Sequence, residues 1–390
     1  MNRVDWLRNV LPWALLLSLG LWVSVSMADT PAGTLFSGQF GPYRYTYYVP
    51  VHHQPQVELP LLVVLHGCKQ DAHEMIKGTG FNVLADQQRF VVLYPETHAA
   101  MNNPLGCWIW WDPDHQRRDV GAPKAIVEMI EFLKPRLSID ADRVYATGIS
   151  SGGAMSAILG SLYPDVFAAV AVHSGLAYGA AYSSACGLKV MRNGGLDPEG
   201  QGELAYHHQG TTHRVVPLIV FQGVDDDIVT DLHADQLMVQ FAQMNDLVDD
   251  GDGDNDSFDD SADDSDTVRG SDHYPYTVYR YEDQDAVIAM QKVMVEGLGH
   301  AWSGGSSTGS YTDPDGPPAS NMMWAFFKRW SLTKPAVVKR SSIPCEERLR
   351  ANHWHFWWHH TMGFKEYACD PWRLSWRHGF DDVWGGGRCP

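Results

Sequence analysis

A serine within residues 144–156, VYATGISSGGAMS, has the neighbours that a serine nucleophile requires. Gly148-Ile149-Ser150-Ser151-Gly152, which we call the elbow, matches the pattern G-x-S-x-G, in which a sharp turn from a strand into a helix exposes the serine hydroxyl. An apolar, β-branched run precedes the elbow, and the helix-compatible run GAMSAILGSLY follows it. The five residues alone also fit an ordinary glycine-rich turn, but this context favours nucleophilic catalysis by Ser150.

Serine catalysis also requires a base and an acid that orients the base. The first acids at the end of a predicted strand after Ser150 are the three aspartates of residues 225–227, and their spacing alone does not choose among them. Solvated turn acids are the alternative for this run. His300 lies in a glycine-flanked loop after a predicted strand at residues 291–295, where its ring is free to reach the serine. The order serine, acid, histidine is that of the α/β-hydrolases.

An oxyanion hole requires two backbone N–H groups that point at the developing alkoxide. The residue after the nucleophile, Ser151, is expected to give one of them. We expect the second from the loop His66-Gly67-Cys68, with the Cys68 amide as the donor, because Gly67 lets this backbone approach closely. His66 precedes the elbow in the chain, which is the wrong order for the base, so we interpret it as structural.

Strand patterns alternate with helix patterns around these residues. An edge-type strand is predicted at residues 40–51, and buried strands are predicted at 59–65, 90–94, 143–146, 167–172, 218–221 and 291–295. Helices are predicted at 82–88, 122–137, 234–244 and 321–332, and residues 177–216 are expected to be long and irregular. The alternation predicts an α/β fold with a mostly parallel, doubly wound sheet, whose active residues cluster at the carboxyl ends of the strands.

The first 28 residues have the pattern of an export signal. Arg3 and Arg8 precede a mainly apolar stretch at residues 10–25, and Ser26-Met27-Ala28 fits the small-x-small cleavage rule. An uncleaved anchor is the alternative, although the apolar stretch is short for a membrane span. Export permits disulfides, and the six cysteines could form three of them: Cys68, Cys107, Cys186, Cys345, Cys369 and Cys389.

The net charge of −18 argues against a nucleic-acid partner, and much of it lies in one run. Residues 246–266 contain eleven aspartates and no lysine or arginine. Asp250, Asp252 and Asp254 have the spacing of an EF-hand calcium loop, but its sixth-position glycine and twelfth-position glutamate are missing. We therefore predict a solvated acidic insertion at residues 246–272, with calcium binding as the weaker alternative.

The C-terminal residues 341–390 hold six of the 15 tryptophans, three cysteines and the cluster NHWHFWWHH. Their odd cysteine count suggests that one of them pairs with Cys186. Adsorption to an insoluble polymer through exposed aromatic side chains, a structural cap and metal binding by the histidines all remain open. The predicted organisation is a signal peptide at residues 1–28, a catalytic domain at 29–335 and a Cys/Trp/His-rich extension at 336–390.

Residues 36–332 resemble a known family through several ordered segments: LLVVLHGCKQDAHEM, VLADQQRFVVLYPE, CWIWWDPDHQRRDVGAP, RVYATGISSGGAMS and VEGLGHAWSGG. These segments look like those of the extracellular poly(3-hydroxybutyrate) depolymerases, which are related to secreted feruloyl and acetylxylan esterases. The resemblance implies an α/β-hydrolase fold with Ser150 as the nucleophile and His300 as the base. The acid segment H-G-x-x-D of that family falls on residues 222–226, which selects Asp226 and puts Gln222 where a histidine is usual.

The resemblance also implies a disulfide between Cys68 and Cys107, which would fix the oxyanion loop to a tryptophan-rich loop. Tryptophans close to these motifs are candidates for binding apolar chains or phenolic groups of a substrate. The alternative is that two of the four belong to the core. The candidates are Trp108, Trp110 and Trp302, with Trp111 beside them.

The sequence therefore predicts a serine esterase secreted to the extracellular space or the periplasm, with no cofactor and no membrane contact after signal cleavage. The resemblance favours a short-chain polyhydroxyalkanoate as the substrate, and a feruloyl or acetylxylan ester is the second choice. A polymer-binding protein with vestigial esterase activity is an alternative of another class. The oligomeric state does not follow from the sequence.

Overall fold

The computed structural model describes residues 32–100, 103–249, 258–283 and 286–333. The predicted signal at residues 1–28, the calcium candidates Asp250, Asp252 and Asp254, and the extension at 336–390 lie outside these ranges. The predicted domain boundaries therefore remain predictions.

One sheet of ten strands organises the described part of the chain. Its strands, in chain order, are β1 Thr34–Phe40, β2 Tyr43–Val49, β3 Leu59–Leu65, β4 Val91–Glu96, β5 Ile139–Gly148, β6 Ala169–His173, β7 Leu218–Gly223, β8 Asp264–Val268, β9 Tyr276–Glu282 and β10 Ile288–Val295. A separate short parallel pair consists of β11 Trp302–Ser303 and β12 Thr312–Asp313.

The six central strands, in the order β4-β3-β5-β6-β7-β10, run parallel to one another. Antiparallel strands complete both edges, with β2 and β1 beyond β4, and β9 and β8 beyond β10. Every residue of β3, β6 and β7 is buried, as expected for strands covered on both faces. The predicted mostly parallel sheet is confirmed, and its carboxyl edge collects the residues that follow β3, β5, β6, β7 and β10.

In the described residues, seven α-helices lie between strands of the large sheet: α1 Ala72–Thr79, α2 Phe81–Gln88, α3 Gly121–Leu137, α4 Ser151–Leu162, α5 Ser184–Asn193, α6 Pro198–His208 and α7 Leu232–Asp249. The last helix, α8 Ala319–Phe327, follows β12. No helix among these residues is long and apolar enough to cross a lipid bilayer.

The expectation of an irregular segment at residues 177–216 is wrong, because α5 and α6 lie within it. Two glycines give α6 low helical propensity, whereas Pro198 at its first position suits the start of a helix. Tertiary packing overrides this preference. A Cβ atom at Gly202 would lie 2.7 Å from the Gln240 carbonyl oxygen in α7, so the glycine permits close helix packing. The Asp197 side chain also caps the first turn by accepting the Gly200 N–H.

The acidic run contributes regular structure at both of its described ends. Asp246 lies in α7 and is fully buried, and the last aspartates form the edge strand β8. Arg280 of β9 pairs with Asp264 at 3.1 Å and with Asp266 at 2.8 Å. Cross-strand pairs of opposite charge stabilise adjacent strands, which explains why such a polar segment joins the sheet.

The closing helix α8 packs through Trp324, which is 4% exposed and lies with its ring centroid 3.8 Å from that of Phe90. We expect Trp324→Ala to lower the free energy of unfolding by about 3–5 kcal/mol, because it leaves a cavity beneath the helix. Leu188→Ala, at a leucine of α5 that is 69% exposed, is the control and should change the value by less than about 0.5 kcal/mol.

Urea unfolding followed by tryptophan fluorescence and circular dichroism measures both values. Equal effects of the two substitutions would contradict this account of α8.

Candidate active site

Ser150 lies at the turn between the end of β5 and the first residue of α4. Its backbone has φ 57° and ψ −121°, which is an unfavourable conformation for a residue with a side chain. Such conformations cost on the order of 1–3 kcal/mol and occur mainly at functional sites. The observed strain is the one expected of a nucleophile elbow, so the backbone agrees with the sequence pattern.

The two outer glycines of the elbow are required by the close approach of β3. A Cβ atom at Gly148 would lie 2.6 Å from the carbonyl oxygen of Leu65, and one at Gly152 would lie 2.3 Å from the same oxygen. Both distances are far below van der Waals contact with a backbone atom that cannot move independently. The glycines therefore allow the turn to pack directly against the end of β3.

The loop after β3 lies beside the serine, as predicted for an oxyanion loop. A Cβ atom at Gly67 would lie 3.3 Å from the Cβ atom of Ser150. The Gln70 side chain accepts the Gly67 N–H at 2.9 Å and donates to the Ser310 carbonyl at 2.8 Å. Among the described residues, the N–H groups of Cys68 and Ser151 have no hydrogen-bond acceptor, so both are available to an oxyanion.

A disulfide joins Cys68 to Cys107 and fixes this loop to the segment before the tryptophans. The Lys69 N–H donates to the Leu105 carbonyl at 2.8 Å. The Asn103 side chain accepts the Cys107 N–H at 3.0 Å and donates to the Cys107 carbonyl at 2.8 Å. The predicted oxyanion loop is thus held by a covalent bond and by a loop with its own internal hydrogen bonds.

Asp226 and His300 are hydrogen-bonded to each other across 74 residues of chain. The His300 Nδ1–H donates to Asp226 Oδ2 at 2.7 Å, and the two side chains are 7% and 0% exposed. Asp226 Oδ1 accepts the N–H groups of Ile228 at 3.0 Å and Val229 at 2.9 Å. Asp225 and Asp227 are exposed, so the structure distinguishes Asp226 from its neighbours as the acid that contacts His300.

Burial by itself raises the pKa of the Asp226 carboxyl, but the hydrogen bonds from His300, Val229 and Ile228 outweigh burial and hold the pKa below its ordinary value. The carboxylate is therefore ionised at neutral pH and can orient the imidazole. Gln222 donates from its Nε2 to Asp226 Oδ2 at 3.3 Å and to the Val229 carbonyl at 2.8 Å. Gln222, which stands where the family pattern usually has histidine, thus contacts Asp226 directly.

His66 is fully buried, and its ring hydrogen bonds support a structural role. Its Nδ1–H donates to the Gly67 carbonyl at 2.8 Å, and its Nε2 accepts the Thr97 N–H at 3.2 Å. Burial lowers its pKa, so the ring is neutral. Cys186 is buried in α5, and its predicted partners Cys345, Cys369 and Cys389 lie outside the described residues.

Burial argues against substrate contact by the three candidate tryptophans, Trp108, Trp110 and Trp302, which are 1%, 3% and 1% exposed. Trp108 stacks on Tyr43, and the Trp302 Nε1–H donates to Ser320 Oγ at 3.1 Å. These contacts assign the rings to packing rather than to a surface that a substrate could reach. The alternative interpretation, in which some of the tryptophans belong to the core, fits these three residues.

An aromatic residue that sequence reasoning missed, Tyr311, lies beside the predicted base His300. Its side chain is 39% exposed, and its ring centroid lies 6.3 Å from that of His300 in an edge-on arrangement. Its φ of 51° is unusual for tyrosine, and its carbonyl accepts the Trp302 N–H at 2.7 Å. No motif includes Tyr311, and only the return of its loop to β11 brings it to the site.

A sequence profile of the family described as esterase PHB depolymerase matches residues 43–257. The match includes Cys68, Ser150 and Asp226 and ends before His300. Poly(3-hydroxyalkanoate) depolymerase C of Paucimonas lemoignei is 30% identical over 254 residues, which are 64% of this chain and 57% of that protein. Feruloyl esterase B of Thermothelomyces thermophilus is 32% identical over 216 residues, which are 53% of this chain and 73% of that protein.

A probable acetylxylan esterase A of Neosartorya fischeri is 28% identical over 163 residues, which are 41% of this chain and 39% of that protein. Among solved structures, the acetyl xylan esterase from Aspergillus awamori superposes with a TM-score of 0.59 at 20% identity. This superposition covers 76% of this chain and 100% of that one. It shows a shared fold, and the predicted α/β-hydrolase fold is confirmed.

Replacing Asp226 tests whether it orients His300. We expect Asp226→Asn to lower kcat about 10³–10⁴-fold, because the amide cannot stabilise the charged imidazole and favours the wrong tautomer. Asp225→Asn and Asp227→Asn remove the same charge from exposed neighbours and should leave kcat unchanged.

Steady-state hydrolysis of p-nitrophenyl butyrate by the three variants gives the comparison. The assignment of Asp226 fails if either neighbour causes the large loss in its place.

Proposed function

The chain belongs to the esterase PHB depolymerase family, and we propose that it is an exported serine esterase that hydrolyses a short-chain polyhydroxyalkanoate through an acyl-enzyme. The observation that carries the proposal is the hydrogen bond of 2.7 Å between His300 and Asp226. It orients an imidazole at the sheet edge where the strained turn presents Ser150. Export is supported by the signal-like pattern of residues 1–28.

In the acylation step, Ser150 Oγ attacks the carbonyl carbon of the ester, and His300 Nε2 accepts the hydroxyl proton. The carbonyl oxygen becomes an oxyanion, which the N–H groups of Cys68 and Ser151 would stabilise. The tetrahedral intermediate then expels the alkoxide, which receives the proton from His300. The products are the released alcohol and an ester of Ser150.

In the deacylation step, His300 removes a proton from water, and the resulting hydroxide attacks the acyl carbon. The second tetrahedral intermediate collapses, Ser150 regains its proton, and the acid product leaves. Asp226 keeps its negative charge throughout and stabilises the imidazolium that forms in both steps. The low pKa of its carboxyl fits this role, since the group must not be protonated at the pH of the reaction.

The polyester assignment is supported by the length of the match to a poly(3-hydroxyalkanoate) depolymerase, which covers 64% of this chain. A feruloyl or acetylxylan ester is the second candidate, because feruloyl esterase B is 32% identical over a shorter region. The exposed ring of Tyr311 beside His300 offers an apolar face to the acyl chain of either class of ester. A polymer-binding protein with vestigial activity is the alternative of another class.

Removing the nucleophile separates catalysis from binding. We expect Ser150→Ala to lower kcat for p-nitrophenyl butyrate by at least about 10⁴-fold, because it removes the hydroxyl proposed to form the acyl-enzyme. Ser161→Ala is the matched control, since it removes a buried serine hydroxyl of α4, the helix that follows Ser150, and this hydroxyl has no hydrogen-bond partner among the described residues.

Equal rates for the intact protein and Ser150→Ala would contradict the catalytic role of Ser150 and would favour the polymer-binding protein with vestigial activity.

Substrate class is decided by three parallel assays: clearing of a poly(3-hydroxybutyrate) suspension, release of ferulate from its methyl ester and release of acetate from acetylated xylan. We expect clearing of the polyester with release of 3-hydroxybutyrate. Ferulate or acetate release without clearing would replace the polyester with the second candidate.

A further inference from the structure

His173, the last residue of β6, touches the elbow through its main chain. Its carbonyl oxygen accepts the Ser150 N–H at 3.0 Å, and Ile149 forms an isolated parallel bridge with it. This hydrogen bond fixes the backbone of the strained residue on the side opposite to β3. The position of the proposed nucleophile therefore depends on where β6 ends.

The ring of His173 holds the loop that carries the proposed base. Its Nε2 accepts the Ser303 N–H at 3.0 Å, three residues after His300. Since Nε2 accepts a backbone N–H, the proton of the neutral ring lies on Nδ1, which is 3.1 Å from Ser174 Oγ. Both ring nitrogens thus have a partner, which fixes the tautomer and the orientation of the ring.

The ring of His173 stacks on two aromatic side chains, one from the strand before Asp226 and one from the loop that carries His300. Phe221 of β7 lies with its centroid 5.8 Å from that of His173, at an interplanar angle of 17°. Trp302 lies at 5.0 Å with an angle of 24°. One side chain therefore contacts both segments that lead to Asp226 and His300, while its own backbone holds Ser150.

The surroundings keep this imidazole neutral. Burial, followed by repulsion from a protonated His300, lowers the pKa of His173 to about 3, and the negative charge of Asp226 offsets only part of that effect. A neutral ring retains the Nε2 lone pair that the Ser303 N–H requires. His173 is buried and does not contact the solvent from which a substrate would arrive.

We propose that His173 is a positioning residue for the proposed ester hydrolysis: as a neutral hydrogen-bond acceptor, it fixes the base loop relative to the nucleophile elbow. This rests on the proposed function. The residue touches neither the substrate nor the reacting atoms. Its role is to keep the imidazole of His300 within reach of Ser150 Oγ during both steps, through the hydrogen bond to Ser303.

Two substitutions of similar volume separate the acceptor from packing. His173→Met fills the space without accepting the Ser303 N–H, and we expect kcat for p-nitrophenyl butyrate to fall about 100-fold with little change in KM, because a small displacement of the base is costly. His173→Gln offers an oxygen acceptor near the position of Nε2, and we expect it to restore most of kcat. Circular dichroism and urea unfolding show that each variant is folded.

The proposal is overturned if folded His173→Met retains the kcat of the intact protein, or if folded His173→Gln loses as much as the methionine variant. Should His173→Met fail to fold, the glutamine variant decides the question alone. Ser150→Ala, assayed beside them, keeps the two hypotheses separate. If the intact protein is no faster than Ser150→Ala, the proposed function fails, whereas an active intact protein with unaffected His173 variants refutes the positioning role only.

Discussion

The packing of the elbow against the end of β3 is the constraint on which the rest of the site depends. The Leu65 carbonyl lies so close to Gly148 and Gly152 that no side chain fits at either position. This contact forces Ser150 into its strained backbone conformation and brings the loop of Gly67 and Cys68 next to it. The proposed nucleophile and its proposed oxyanion donors therefore result from a single close approach of two parallel strands.

The remaining groups are placed by the same sheet edge. β7 and β10 are adjacent and parallel, so the loops after them bring Asp226 and His300 together although 74 residues separate them in the chain. β6 lies between β5 and β7, and its last residue, His173, contacts both sides of the site. Because the carboxyl ends of parallel strands share one edge, the alternation of strands and helices already predicted that the loops after these strands would cluster.

The parts of the fold and site that were predictable have short-range signals. Buried strands are continuous apolar runs, and β3 was predicted with its observed limits. The elbow has a local pattern. Asp226 was selected by matching the acid segment of the family to the sequence, because the spacing of three adjacent aspartates could not select one of them. By contrast, α6 depends on close packing against α7. The burial of Trp108 and Trp302 depends on the surrounding loops, and Tyr311 reaches His300 only because its loop returns to β11. These features are set by tertiary contacts that no local pattern records.

We propose that the elbow makes Ser150, and not the adjacent Ser151, the reactive group. Treatment of the intact protein with diethyl p-nitrophenyl phosphate, followed by proteolysis and tandem mass spectrometry, locates the nucleophile directly. We expect one diethylphosphoryl group on Ser150, formed in parallel with the loss of esterase activity. A label on Ser151, or full loss of activity with Ser150 unmodified, would contradict it.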